Sequence, residues 1–189
     1  MQGAITTNAS PLPRTFYEGN TVLVAKELLG KVLVRRRGSV RLEGIIVETE
    51  AYRGHDDAGS HAYRGQTKRN EVMFGEPGHA YVYFTYGMHY CLNVTTERIG
   101  RPAAVLIRAV QPVRGLERMK KHRRIGRIED LANGPAKLTQ AFAITGVLNG
   151  CDLTTGRKLF IMNDNETKAV EIRSTSRIGG VSGKEKPWR

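Results

Sequence analysis

Residues 80–96 read Ala80-Tyr81-Val82-Tyr83-Phe84-Thr85-Tyr86-Gly87-Met88-His89-Tyr90-Cys91-Leu92-Asn93-Val94-Thr95-Thr96, two runs of aromatic and β-branched side chains around Gly87-Met88. Such side chains fit a pleated surface, and Gly supplies the positive φ of a tight turn, so the segment predicts an antiparallel hairpin. A hairpin alone is marginal in water and needs more strands. Residues 31–35 and 40–51 supply two around Gly38-Ser39, and residues 103–110 supply a buried one. Residues 158–162 and 168–173 predict a second hairpin around Asn163-Asp164-Asn165. Helical spacing occurs at 21–29, stopped by Gly30, and in the basic segment 113–122. A third helix is expected over 136–144, with Asn133-Gly134 as its cap and Pro135 in its first turn. Strands outnumber helices and alternate with them irregularly. The expected fold is α+β: a single compact domain with a mostly antiparallel curved β-sheet, surrounding helices and a protruding β-hairpin.

The chain has 189 residues, suited to one domain, with residues 1–14 as a loose N-terminal arm and 15–189 as the folded body. Hydrophobic residues at 40% and charged residues at 25% exclude a wholly disordered chain. Thirty Lys and Arg against eighteen Asp and Glu leave a net charge of +12, which makes nucleic acid the leading partner and an anionic surface the second. No apolar run reaches the length of a membrane span, and the first residues lack the apolar stretch of a secretory signal. Cys91 and Cys151 are far apart and in no paired motif, so both are expected reduced, as small packed residues of an intracellular protein.

Residues 52–78 have no period and are polar and Gly-rich, too long for a bland connection. Glu43, Glu48, Glu50, Asp56 and Asp57 sit within one short stretch at and just before the start of this segment, with Arg53 as the single base among them. An acidic cluster in a basic chain is either a solvated, charge-balancing face or the seat of a general base. Alternation along 40–51 puts Ile46, Glu48 and Glu50 on one face and Ile45, Val47 and Thr49 on the other. All the tyrosines but Tyr17 fall between 52 and 90. They are either sheet and core residues or flat rings that stack on a base. Tyr86, beside Gly87 at the hairpin tip, is placed to act as a wedge between base pairs. His55 and His61 with Asp56 and Asp57 match no metal-ligand spacing, and no metal site is expected. Phosphate-binding glycine loops, dinucleotide fingerprints and nucleophile elbows are missing. The run Arg114, Arg118, Lys120, Lys121, Arg123, Arg124 and Arg127, opposed by Glu117, reads as a solvated face or a phosphate-tracking surface.

Several ordered blocks carry a resemblance. Glu48-Thr49-Glu50-Ala51-Tyr52, His61, Gln66-Thr67-Lys68-Arg69-Asn70, Tyr81-Val82-Tyr83, Tyr86-Gly87-Met88, Asn93, Leu106-Ile107-Arg108-Ala109, Asn133-Gly134-Pro135-Ala136-Lys137-Leu138 and Arg177-Ile178-Gly179 resemble the alkyladenine (3-methyladenine) DNA glycosylase family. The resemblance spans residues 15–189. It implies a DNA repair enzyme that flips 3-methyladenine, 7-methylguanine, hypoxanthine or ethenoadenine out of duplex DNA and hydrolyses its N-glycosidic bond, without lyase activity. In that pattern Glu50 is the general base and Arg108 helps position the water. Tyr52, His61 and Tyr83 wall the base pocket, and Asn93 on its floor disfavours guanine. Tyr86, with Met88 and Arg69 beside it, meets the DNA. The resemblance further implies no metal or organic cofactor, double-stranded DNA as partner, a monomer, and a place with the DNA: the bacterial cytoplasm and nucleoid, or a eukaryotic nucleus. One departure is Gly180, where many relatives carry an apolar residue whose carbonyl contacts the water. Another is that the chain stops at Trp188-Arg189, where relatives run on. Competing expectations are a non-catalytic nucleic-acid-binding module, an enzyme acting on RNA, and a metal-dependent hydrolase using the acidic cluster.

Overall fold

Among the described residues six strands make one antiparallel sheet: β1 (Val32–Arg37), β2 (Val40–Arg53), β3 (Ala80–Thr85), β4 (His89–Thr96), β5 (Ala103–Arg114) and β6 (Leu159–Met162). The computed structural model describes residues 10–163, 171–178, 182–183 and 185–189. The strand order is β3-β4-β5-β2-β1-β6, with every neighbouring pair antiparallel and the sheet curled. The helices are short: α1 (Arg14–Tyr17), α2 (Thr21–Glu27), α3 (Leu116–Arg123) and α4 (Pro135–Ala141). The fold is therefore the expected α+β domain with a hairpin, β3–β4.

One face of the sheet carries Leu33, Ile46, Val94, Val105 and Ile107, packed against α2 and α4 through Val24, Leu138 and Phe142. Each such side chain, fully buried, contributes about 1.5–3 kcal/mol. This layer closes one face and leaves the other for chemistry. On that other face the long segment after β2 folds back, so that Ala62 and Met73 pack on Tyr81 and Ala104. The segment without a period is thus a wall, held by two polar staples. Asn70 donates to the carbonyls of His61 (2.8 Å) and Gly65 (3.0 Å), and Asp57 accepts from the backbone N–H groups of Arg53 (2.8 Å) and Gly59 (3.1 Å).

Some expectations need correction. The arm's residues 1–9 lie outside the described residues, but Leu12 is buried and donates its N–H to Ile161, and Pro11 bridges Met162, so packed chain begins before residue 15. The segment 113–122 is not helical throughout. β5 runs on to Arg114, and α3 starts only after Gly115, at φ +80°. A Cβ there would sit 2.5 Å from a Leu42 methyl carbon, so only glycine fits the turn. The last helix is shorter than 136–144, with Gly134 rather than Asn133 at its cap. The second hairpin expected around Asn163-Asp164-Asn165 falls mostly on residues 164–170, which lie outside the described residues; β6 pairs with β1, and residues 171–173 belong to no strand.

Simple alternation also fails once in β2. The register slips at Val47 and again at Arg108 opposite, a pair of bulges. Ile46 consequently faces the core with Thr49 and Ala51, Val47 is exposed, and Glu48 and Glu50 turn to the other face without Ile46.

Candidate active site

A cavity of about 330 Å³ opens on the face opposite the main core. Its floor is a row across four strands: Tyr81 pairs with Asn93, Asn93 with Leu106, and Leu106 with Glu50. The next positions two residues along add Tyr83, Cys91, Ala104, Arg108 and Tyr52. The period of two in each strand therefore delivers every one of these side chains to one face. His61 and Met73 come from the folded-back segment, Pro135 from the start of α4 and Ile178 from the C-terminal segment.

Glu50 is fully buried except where it borders this cavity. Three donors converge on it. The backbone N–H of Ile178 donates to Oε1 at 2.8 Å, the Tyr52 hydroxyl donates to Oε2 at 2.8 Å, and Arg108 Nη1 lies 3.2 Å from Oε2. A carboxylate that only accepts matches the ionised form. Arg108 is itself oriented, since its Nε donates to Glu48 at 2.9 Å, and Glu48 also pairs with Arg189 at 3.3 Å. Burial first, and the neighbouring Glu50 charge second, push the Tyr52 phenol well above its ordinary pKa, so it stays a donor.

Rings line the rest. Tyr83 and His61 meet edge to face with centroids 4.5 Å apart, and His61 Nδ1 lies 2.9 Å from the Tyr81 hydroxyl. Desolvation by the wall, then the Arg69 charge, lower the His61 pKa and favour the neutral imidazole. Burial raises the Tyr81 hydroxyl to about 12 and the buried Cys91 thiol above its usual value. Asn93 donates to the Tyr81 carbonyl at 3.1 Å, which fixes its amide in the floor. Arg69 does not line the cavity. It lies over the Tyr83 ring at 5.1 Å and donates to the Phe84 carbonyl at 3.1 Å, bracing the hairpin's root. At the tip, Tyr86 is 81% exposed and Met88 68% exposed. Tyr86 has φ +51° and Gly87 +67°, so a bulky side chain sits in the left-handed region at the cavity's rim.

Glu50, Tyr52, His61, Tyr83, Tyr86, Asn93 and Arg108 thus border one cavity, Arg69 and Met88 do not line it, and the structure adds other residues. Arg177 is buried between the two oxygens of Asp57 and the face of Tyr52, its guanidinium carbon 4.1 Å from the ring centroid. One face of Tyr52 is therefore covered. Gly180, the departure seen in sequence, lies outside the described residues. The five clustered acids separate by role: Glu43 is buried beside Arg41 and Arg114, Asp57 beside Arg177, Asp56 is exposed with Arg53, and Glu48 and Glu50 share Arg108. Among the described residues no cluster of three His, Cys, Asp or Glu could hold a metal, no helix is long and apolar enough to cross a membrane, and both cysteines are free.

Comparison with known proteins gives the family of the chain. The model of the methylpurine-DNA glycosylase family matches residues 15–189. The chain belongs to that family. Similar proteins each carry the name "Putative 3-methyladenine DNA glycosylase". One from Carboxydothermus hydrogenoformans is 55% identical over 94% of this chain and 93% of its own length. Others come from Methanocella arvoryzae (47%; 94% and 90%) and Koribacter versatilis (44%; 95% and 88%). This family membership makes the chain a DNA glycosylase, a hydrolase of N-glycosyl bonds, and it makes DNA the partner.

Proposed function

We propose that this glycosylase excises damaged purines from duplex DNA by turning the nucleotide into the cavity and attacking its sugar with a water activated by Glu50. The observation that carries this is the buried Glu50 carboxylate, aligned by three donors on the floor of an opening walled by Tyr52, His61 and Tyr83. A protein carboxylate cannot reach a glycosidic bond inside the stack, so the nucleotide leaves it at a cost of a few kcal/mol, least for damaged or mispaired bases. Alkylated adenine carries positive charge, which suits the faces of Tyr52 and Tyr83. Asn93 on the floor crowds the extra amino group of guanine. Tyr86 and Met88 fill the space the nucleotide leaves, and Arg69 holds the hairpin that carries them.

In the chemical step the water oxygen bonds to the anomeric carbon, while the carbon–nitrogen bond breaks and its electron pair goes to the purine. Glu50 takes the proton of the water, and its charge stabilises the cationic sugar of the transition state. Arg108, fixed by Glu48, orients carboxylate and water. No lysine lines the cavity among the described residues, which supports direct displacement without a Schiff base. The enzyme works as a monomer without cofactor and leaves an abasic site. The test is an excision assay on duplexes with a single 3-methyladenine, 7-methylguanine, hypoxanthine or ethenoadenine, with chelator and with borohydride. Abasic sites should form at undiminished rate in chelator, with no trapped adduct. A borohydride-stable protein–DNA adduct, or no excision of any of the four bases, contradicts the proposal.

A further inference from the structure

A second cavity, of about 280 Å³, shares no residue with the first. It lies at the far end of β1 and β2, against α3 and the end of α4. Its cationic lining comes in two pairs. Arg35 and Arg37 stand two apart on β1, on one side of the strand, while Arg36 turns to the other side and stacks on Phe160 at 5.0 Å. Arg118 and His122 stand four apart on α3, hence on one helix face. Leu42 and Phe142 give an apolar floor, and no acid lines the cavity among the described residues.

The exposed Arg37 and Arg118 guanidiniums have no hydrogen-bond or ion-pair partner among the described residues. Arg35 is anchored by its Nη1, which donates to the Lys158 carbonyl at 3.1 Å. His122 Nδ1 lies 2.8 Å from the Ala141 carbonyl, which fixes the ring and leaves Nε2 for a ligand. Burial first, and the Arg37 charge second, lower the Arg35 pKa. Forked guanidiniums converging from two rigid elements over an apolar floor suit a phosphate oxygen cluster.

We infer that the cavity lined by Arg35, Arg37, Arg118 and His122 is a phosphate-binding site separate from the base cavity. Its phosphate comes either from a free phosphate or mononucleotide, or from the backbone of a bound duplex. The apolar floor gives a nucleoside room beside the phosphate. For a duplex, α4 is the link: Pro135 at its start lines the base cavity and Phe142 just past its end lines this one, roughly 10 Å apart at helical rise.

The test titrates the full chain with inorganic phosphate, with deoxyadenosine monophosphate and with an undamaged duplex, by calorimetry. Wild type is compared with Arg37→Ala/Arg118→Ala and with Arg37→Lys/Arg118→Lys. Both positions are exposed, so coincident thermal melting is expected and checks the fold. If the source is a small molecule, phosphate or the mononucleotide binds one to one, at least tenfold tighter to wild type than to the alanine variant, with the lysine variant between. If it is the DNA backbone, duplex affinity falls instead, and the slope of log K against log salt drops by about 1–2. Single-turnover excision at saturating enzyme stays unchanged in either case, so failure of the excision proposal is read separately. Equal binding of all three probes to wild type and alanine variant, or no binding of any probe, overturns the inference.

Discussion

Tyr52 joins two networks in one side chain. Its hydroxyl donates to Glu50 at 2.8 Å, while one ring face lies against Arg177. The residue also borders the cavity. Replacing Tyr52 by Phe removes the donor and keeps the ring. A hydrogen bond to a charged group is worth about 1.5–3 kcal/mol, so single-turnover excision should fall roughly ten- to a hundredfold. Affinity for a lesion duplex should change less than about twofold. Rapid-quench kinetics with a binding titration checks this; unchanged excision would detach the phenol from the carboxylate's task. At this scale the sequence was legible where the strand period holds: Glu50 and Tyr52 share a face as their spacing requires. It was not legible at Ile46, because the slip at Val47 is set by pairing with β5 and not by the pattern in β2. Nor was the Ile178 N–H, which reaches Glu50 from 128 residues away as a backbone donor and so has no side-chain signature.

Among the elements, the hairpin was legible from its own residues, since β-branched and aromatic runs and a positive-φ turn are local properties. The segment after β2 and the C-terminal segment were not, because both are ordered by long-range polar contacts. The Asp57–Arg177 pair fastens one to the other and, through Ile178, to Glu50. Burial alone would raise the Asp57 pKa, but the Arg177 hydrogen bonds and the Arg53 and Gly59 N–H groups outweigh it and hold the carboxyl below its usual 3.8. A folded-state pKa below the unfolded one means stability that is fully present above about pH 4 and lost as pH falls through the folded value. Asp57→Asn should therefore cost about 3–5 kcal/mol at pH 7, the cost of breaking a buried pair from one side. The difference from wild type should shrink below pH 4. Denaturant unfolding at pH 7 and pH 3 measures it, and an equal loss at both would assign the effect to packing instead of charge.

For the whole molecule, a curled sheet puts an apolar core on one face and a cavity on the other, and a surplus of twelve positive charges draws it to an anionic polymer. The α+β class and the nucleic-acid partner followed from strand patterning and charge. Strand order did not, because nothing in residues 158–162 says that they pair with β1. All of the chemistry proposed for this molecule converges on one carboxylate. The direct measurement is single-turnover excision of hypoxanthine from a defined duplex by wild type and Glu50→Gln, with lesion-duplex affinity measured on the same preparations. Loss of excision by at least about a hundredfold, with affinity kept, is the expected result. Excision by Glu50→Gln within a few-fold of wild type would contradict it.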